Sequence, residues 1–183
     1  MLDGLLKVMD ELKVKTVVIS KQGEDSENYQ KFKEIVKRKK IKVMIIGRNS
    51  NMDSTRLQIE DDLYFEILWP NNSKVINENI LNNNSIVCKL NYKNFSMLFT
   101  GDIEEIAEKQ ILQEYKNNVQ LLKSTILKVA HHGSKTSSTQ EFVEMVTPKI
   151  ALIGVGKNNK FGHPNDGVIK RLENLRYGNI SNR

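Results

Sequence analysis

All three histidines of this chain, His131, His132 and His163, lie in polar segments that directly follow strand-like apolar runs. His131 and His132 follow Thr125–Ala130, and His163 follows Lys149–Val155 after a short polar loop. One carboxylate, Asp102, has the same setting, in Phe99-Thr100-Gly101-Asp102 behind the run Phe95–Thr100. In an open α/β sheet, residues at the carboxyl ends of neighbouring parallel strands converge on one crevice. A chain with this pattern is constrained to bring those four side chains together or leave them scattered as caps and loop residues.

Each part has a plain structural reading beside the chemical one. Asp102 before Ile103 suits a helix N-cap. His163 before Pro164 reads equally as a hydrogen-bonded loop residue. Together, imidazole and carboxylate are ligand types that suit Zn²⁺ or Mn²⁺, and helix N-termini behind the same loops favour an anion. The spacing therefore points to a metal or phosphate site. Gly133 permits close backbone approach to a ligand, and Ser134 and Lys135 offer a hydroxyl and a cation. No Gly-x-Ser-x-Gly elbow accompanies Ser134 as a nucleophile.

The remainder alternates helix and strand. Leu2, Leu5, Met9 and Leu12 recur at helical spacing, followed by a short strand over Lys15–Ser20. Ser26 is placed to cap a helix with apolar face Tyr29, Phe32, Ile35 and Val36, ending in Lys37-Arg38-Lys39-Lys40, where cations suit the dipole. Ile41–Ile46 reads as a strand, Arg56–Pro70 as two strands around Glu60-Asp61-Asp62, and Asn71–Asn84 as a long surface loop. Ser85–Tyr92 and Phe95–Thr100 form a hairpin through Lys93-Asn94. Helices are expected over Ile103–Lys116, from a Ser138/Glu141 capping box to Val146, and over Asn165–Leu175 with Pro164 in its first turn. This order suits a single layered α/β domain over residues 1–183.

Composition excludes little but usefully. With 183 residues and 39% hydrophobic content, the chain supports a core, and no apolar run approaches the ~20 residues that span a bilayer. A soluble, cytoplasmic chain without membrane contact is the expectation. The single cysteine, Cys88, excludes an internal disulfide and a Cys-based zinc site, and reads as a buried strand residue. A net charge of +6 is compatible with a polyanionic partner.

Met97-Leu98-Phe99-Thr100-Gly101-Asp102-Ile103, Leu127-Lys128-Val129-Ala130-His131-His132-Gly133-Ser134 and Phe161-Gly162-His163-Pro164 resemble the metallo-β-lactamase-like domain of ComEC-type competence proteins. Asn83-Asn84-Ser85-Ile86-Val87 resembles the start of a strand in that family. The resemblance covers most of the chain and is carried by its last hundred residues. It implies an αββα sandwich with a di-metal centre for phosphodiester cleavage, linked to degradation of single-stranded DNA during uptake. Asp102 would bridge the metals, His131 or His132 would be a terminal ligand, and His163 would bind phosphate or protonate the leaving group.

The family's first metal motif, a His/Asp-rich segment, precedes a helix resembling Asp3-Gly4-Leu5-Leu6-Lys7-Val8, so the sandwich is expected to be incomplete on its N-terminal side. Relatives also continue beyond Arg176-Tyr177-Gly178. The family centre takes roughly six protein ligands for two metals, and this chain offers at most four candidates. The resemblance thus leaves two expectations: an impaired metal-dependent hydrolase, or a non-catalytic anion- or nucleic-acid-binding remnant.

Overall fold

Hydrophobic periodicity at the start of the chain folds into α1 (Asp3–Glu11), β1 (Thr16–Ser20), α2 (Glu27–Lys39) and β2 (Lys42–Ile46). The computed structural model describes residues 3–23, 26–47 and 55–178. Strands β1 and β2 pair in parallel, Thr16 opposite Lys42 through Ser20 opposite Ile46. Leu6, Met9, Val17, Phe32 and Ile41 form the core of this unit. The buried stripe of α1 is Leu6 and Met9, whereas Leu5 and Leu12 are exposed. That differs from the expected face, because Leu5 turns toward a cleft; Leu2 lies outside the described residues.

Ser26 caps α2 as expected, its hydroxyl accepting the Tyr29 N–H at 3.2 Å. The basic run at the end of α2 does more than suit a dipole. Lys39 Nζ donates to the carbonyls of Met9 (2.9 Å) and Leu12 (3.1 Å), and Arg38 pairs with Asp10. Lys39 thus bonds carbonyls at the end of α1, and the two cations together tie the helices to each other.

The larger sheet contains β3 (Thr55–Glu60), β4 (Leu63–Trp69), β5 (Val87–Tyr92), β6 (Phe95–Phe99), β7 (Ile126–Lys128) and β8 (Ile150–Leu152), in that spatial order. Strands β3 to β6 are antiparallel; short turns join β3 to β4 and β5 to β6, where Tyr92 faces Phe95 across Lys93-Asn94, and the long segment 70–86 joins β4 to β5. Strands β6, β7 and β8 are parallel, because α4 (Glu105–Tyr115) and α5 (Gln140–Val146) carry the chain back between them. With α6 (Asp166–Gly178), these helices pack on a core of Leu68, Trp69, Leu98, Ile111, Phe142 and Val168. Each large apolar side chain so buried contributes about 1.5–3 kcal/mol relative to exposure. The architecture is mixed α/β, a six-stranded mixed sheet beside a two-stranded parallel one.

Four expectations need correction. Asn71–Asn84 is not a surface excursion: it contains the single-turn α3 (Ile80–Asn83), and Asn71, Asn83 and Asn84 are buried. Trp69 Nε1 donates to the Asn83 carbonyl at 2.7 Å, and Asn84 bonds both backbone groups of Ile76, so asparagine side chains replace missing backbone partners. Helix α4 starts at Glu105 with Glu104 in the N-cap position, so Asp102 is no cap. Thr139, not Ser138, caps α5, accepting the Phe142 N–H; the Ser138 N–H is instead taken by Glu108. Pro164 follows a cis bond outside α6, which begins at Asp166.

Cys88 lies half-buried on β5, and burial pushes its thiol up to about 11. The native chain is expected to react with iodoacetamide at pH 8 roughly 200-fold more slowly than a free thiol, since thiolate is the nucleophile. Alkylation at the rate of the unfolded chain would contradict this.

Candidate functional site

The site is assembled by hydrogen bonds to the backbone between three loops at the carboxyl ends of β6, β7 and β8. Thr100 Oγ1 donates to the Lys128 carbonyl at 2.6 Å, and the His131 N–H donates to the Gly101 carbonyl at 3.0 Å. The Asn165 N–H donates to the Gly133 carbonyl at 2.8 Å. Two glycines are required here. Gly101 has φ +55°, and a Cβ on it would sit 2.6 Å from Ser85 Cβ; Gly133 has φ +80°, with Pro164 Cβ 2.7 Å away.

The two adjacent histidines occupy the left-handed region, His131 at φ 46° and His132 at φ 56°, within the 3₁₀ segment Ala130–Gly133. Each such residue costs on the order of 1 kcal/mol or more and persists where its surroundings fix it. The consequence is divergence: consecutive imidazoles reach different partners. His132 Nδ1 lies 2.6 Å from the Gly154 carbonyl, and its Nε2 lies 3.8 Å from Asp102 Oδ1. His131 Nδ1 lies 3.5 Å from Glu104 Oε1, with no closer hydrogen-bond partner among the described residues.

His163 completes the group. Its ring meets that of His131 edge-on at 5.8 Å and stacks with Phe161 at 5.9 Å. Burial, then the neighbouring His131 and His132, hold its pKa below the ordinary imidazole value. The structure therefore brings Asp102, His131, His132 and His163 into one cluster. Gly133, next to His132, is buried against Pro164. Ser134 is buried, its Oγ 3.0 Å from Thr136 Oγ1. Lys135 lines a separate cleft with Glu78, Glu104 and Glu105.

The donor chemistry follows from the tautomer. A carbonyl only accepts, so His132 Nδ1 carries the proton shared with Gly154. If the ring is neutral, Nε2 presents a lone pair toward the Asp102 carboxylate. Two lone pairs 3.8 Å apart repel unless a proton or a cation lies between them. Two tetrahedral zinc ligands at about 2.0–2.2 Å from the metal lie about 3.4 Å apart. Asp102 and His132, 3.8 Å apart, could hold one cation between them after closing by a few tenths of an ångström. Among the described residues, no group of three or more His, Cys, Asp or Glu side chains is arranged to hold a metal ion.

Residues that hold the cluster from behind carried no signal in the motifs. Glu104, 9% exposed, accepts from Asn79 Nδ2 (2.7 Å), Thr136 Oγ1 (3.1 Å) and Asn83 Nδ2 (3.4 Å) while facing His131. Asn83 Oδ1 accepts the Glu104 N–H at 2.9 Å. The available signal was the Asn-rich segment itself, whose buried members Asn83 and Asn84 stand directly before Ser85. Lys128 was missed too: its ammonium donates to the Val129 carbonyl, and burial lowers its pKa against the opposing pull of Asp102. Beside Asp102 a cleft of about 510 Å³ opens between the two sheets, lined by Leu5, Tyr29, Phe32, Leu81 and Ile86.

No family model matches the chain. The chain is 37% identical over 117 residues to ComE operon protein 3 of Bacillus subtilis, 64% of this chain and 14% of that protein. It is 33% identical over 112 residues to competence protein ComA of Neisseria gonorrhoeae, covering 61% of this chain and 15% of that protein. It is 34% identical over 110 residues to recombination protein 2 of Haemophilus influenzae, covering 60% of this chain and 13% of that protein. Over somewhat more than half its length the chain is thus a homologue of proteins named for competence and recombination, and it spans about one-seventh of their length.

Proposed function

We propose that this chain is part of a cation-dependent phosphodiester-cleaving domain with a metallo-β-lactamase-like scaffold, related to DNA uptake. The observation that carries the reading is the facing pair Asp102 and His132, with His132 Nδ1 committed to the Gly154 carbonyl and Nε2 left free for a cation. A bound Zn²⁺ or Mn²⁺ would lower the pKa of water and offset charge on phosphoryl oxygens. Asp102 and His132 would hold it, and the Gly154 carbonyl would fix the ring and raise its basicity. His131 would be held in place by Glu104. His163, whose pKa is lowered by burial and by its neighbouring imidazoles, would lie on the substrate side, with Gly133 allowing close approach of a phosphate.

A second reading has its own support. Two donors are fewer than the three protein ligands usual for a catalytic zinc, which favours binding of an anionic chain without turnover. The experiment separates the two. Metal uptake is measured by titration calorimetry with Zn²⁺ and Mn²⁺, alongside cleavage of single-stranded DNA. The expected result is uptake that Asp102→Ala and His132→Ala each weaken at least 10-fold, with cleavage lost in both. Unchanged uptake in these variants would sink the metal site. Uptake without cleavage would leave the binding module.

A further inference from the structure

Phe161 is the most exposed large hydrophobic residue among those described, at 82%, well beyond Ile45 at 63%. An exposed aromatic on a loosely held loop needs no explanation. This loop is not loosely held. Asn159 Oδ1 accepts the N–H groups of both Phe161 (3.2 Å) and His163 (2.9 Å), and its amide donates to the carbonyls of His163 (2.7 Å) and Gly156 (3.3 Å). One asparagine therefore fixes the backbone on both sides of Gly162, which takes φ +67°. The Phe161 ring stacks with His163, their planes 19° apart. The result is a flat apolar surface, fixed in place, open to solvent and one ring away from the histidine cluster. Lys157 and Lys160, both exposed, stand on the same loop.

A fixed aromatic face accepts a planar partner, and flanking ammonium groups attract phosphates. Stacked base and neutralised backbone together are how unpaired nucleic-acid strands are gripped without sequence preference. A duplex is a poor fit, since its bases are already stacked on one another. We propose that Phe161 is a base-stacking platform for single-stranded nucleic acid, with Lys157 and Lys160 as its phosphate contacts. The inference rests on the proposed function for what lies next to the platform: a strand whose base rests on Phe161 would bring a phosphate toward His163, the ring that Phe161 stacks on.

The test is binding without turnover. The full chain in EDTA is titrated, by fluorescence anisotropy at low salt, against labelled oligodeoxythymidylate, the matching oligouridylate and an abasic oligomer with the same number of phosphates. Wild type is expected to bind the base-bearing strands, the tighter one identifying the nucleic acid, and to bind the abasic strand weakly. Phe161→Ala should weaken binding of the base-bearing strands about 5- to 150-fold and leave the abasic strand unchanged. Phe161→Trp should retain affinity, and strand binding should quench its indole emission. Lys157→Gln with Lys160→Gln should weaken all strands alike and reduce the salt slope by about 1.4. Equal affinity of Phe161→Ala and wild type, equal binding of abasic and base-bearing strands, or no binding at all would each overturn the proposal. Binding lost in Phe161→Ala in a chain that never cleaves DNA would leave the platform standing and sink only hydrolysis.

Discussion

Replacing Glu108 with alanine is expected to lower the unfolding free energy by about 2–5 kcal/mol, measured by urea denaturation. Glu108 is fully buried on α4, and its carboxylate accepts the N–H groups of Ser138 (2.5 Å) and Thr139 (2.8 Å). Those donors lie in the turn that enters α5, with Ser138 itself in the left-handed region at φ 55°. Without Glu108 both are stranded away from water, at about 1–3 kcal/mol each, less the cost of burying the carboxyl group. Burial raises the Glu108 pKa despite the two N–H donors and nearby Arg171, which lower it. The sign follows: stability from a raised carboxyl is present below its ordinary 4.5 and is lost as pH rises through the folded value. The stability margin of wild type over Glu108→Gln should therefore be larger at pH 5 than at pH 8. A margin that grows with pH would mean that the N–H donors outweigh burial. As a control, Glu105→Gln removes only an exposed pair with Lys109 and should leave stability unchanged.

This clamp shows where the sequence was legible and where it was not. Ser26, the Lys93-Asn94 turn and the strand apolar runs are local signals, and each produced its element, because capping and alternation act within a few residues. The clustering of Asp102 with the histidines was legible for a topological reason: three consecutive parallel strands put their following loops on one edge. Glu108 gave no local sign. It sits in a helix among Glu104 and Glu105, and only the return of the chain thirty residues later reveals that it is buried. Ser138 misled for the same reason: its spacing to Glu141 satisfies the capping pattern, but a distant carboxylate takes its N–H. The divergence of His131 and His132 was equally hidden, since these adjacent left-handed residues are tied to the distant Gly101 and Gly154 carbonyls and no local propensity announces them.

Asn83→Ala is expected to cost about 2–4 kcal/mol and to disturb the cluster as well as the fold. Asn83 is fully buried; its Oδ1 holds the Glu104 N–H, and its amide donates to the Glu78 carbonyl at 2.9 Å and toward Glu104 Oε2. Alanine strands the Glu104 N–H and the Glu78 carbonyl and leaves Glu104 Oε2 with Asn79 alone. The Glu104 carboxylate then loses its hold on one side while still facing His131, so the imidazole should become mobile, seen as broadened His131 ring signals in NMR spectra. Coupling between positions 83 and 104 tests this contact. Asn83→Asp keeps the acceptor for the Glu104 N–H but sets a second negative charge against Glu104. Glu104→Gln loses one acceptor oxygen. In the double variant, the new amide at position 104 donates to the new carboxylate at position 83, restoring the contact with its polarity reversed. The two changes should therefore cost at least about 1 kcal/mol less together than the sum of their separate costs. Strict additivity would mean that the two side chains merely lie near each other and that His131 is held by something else.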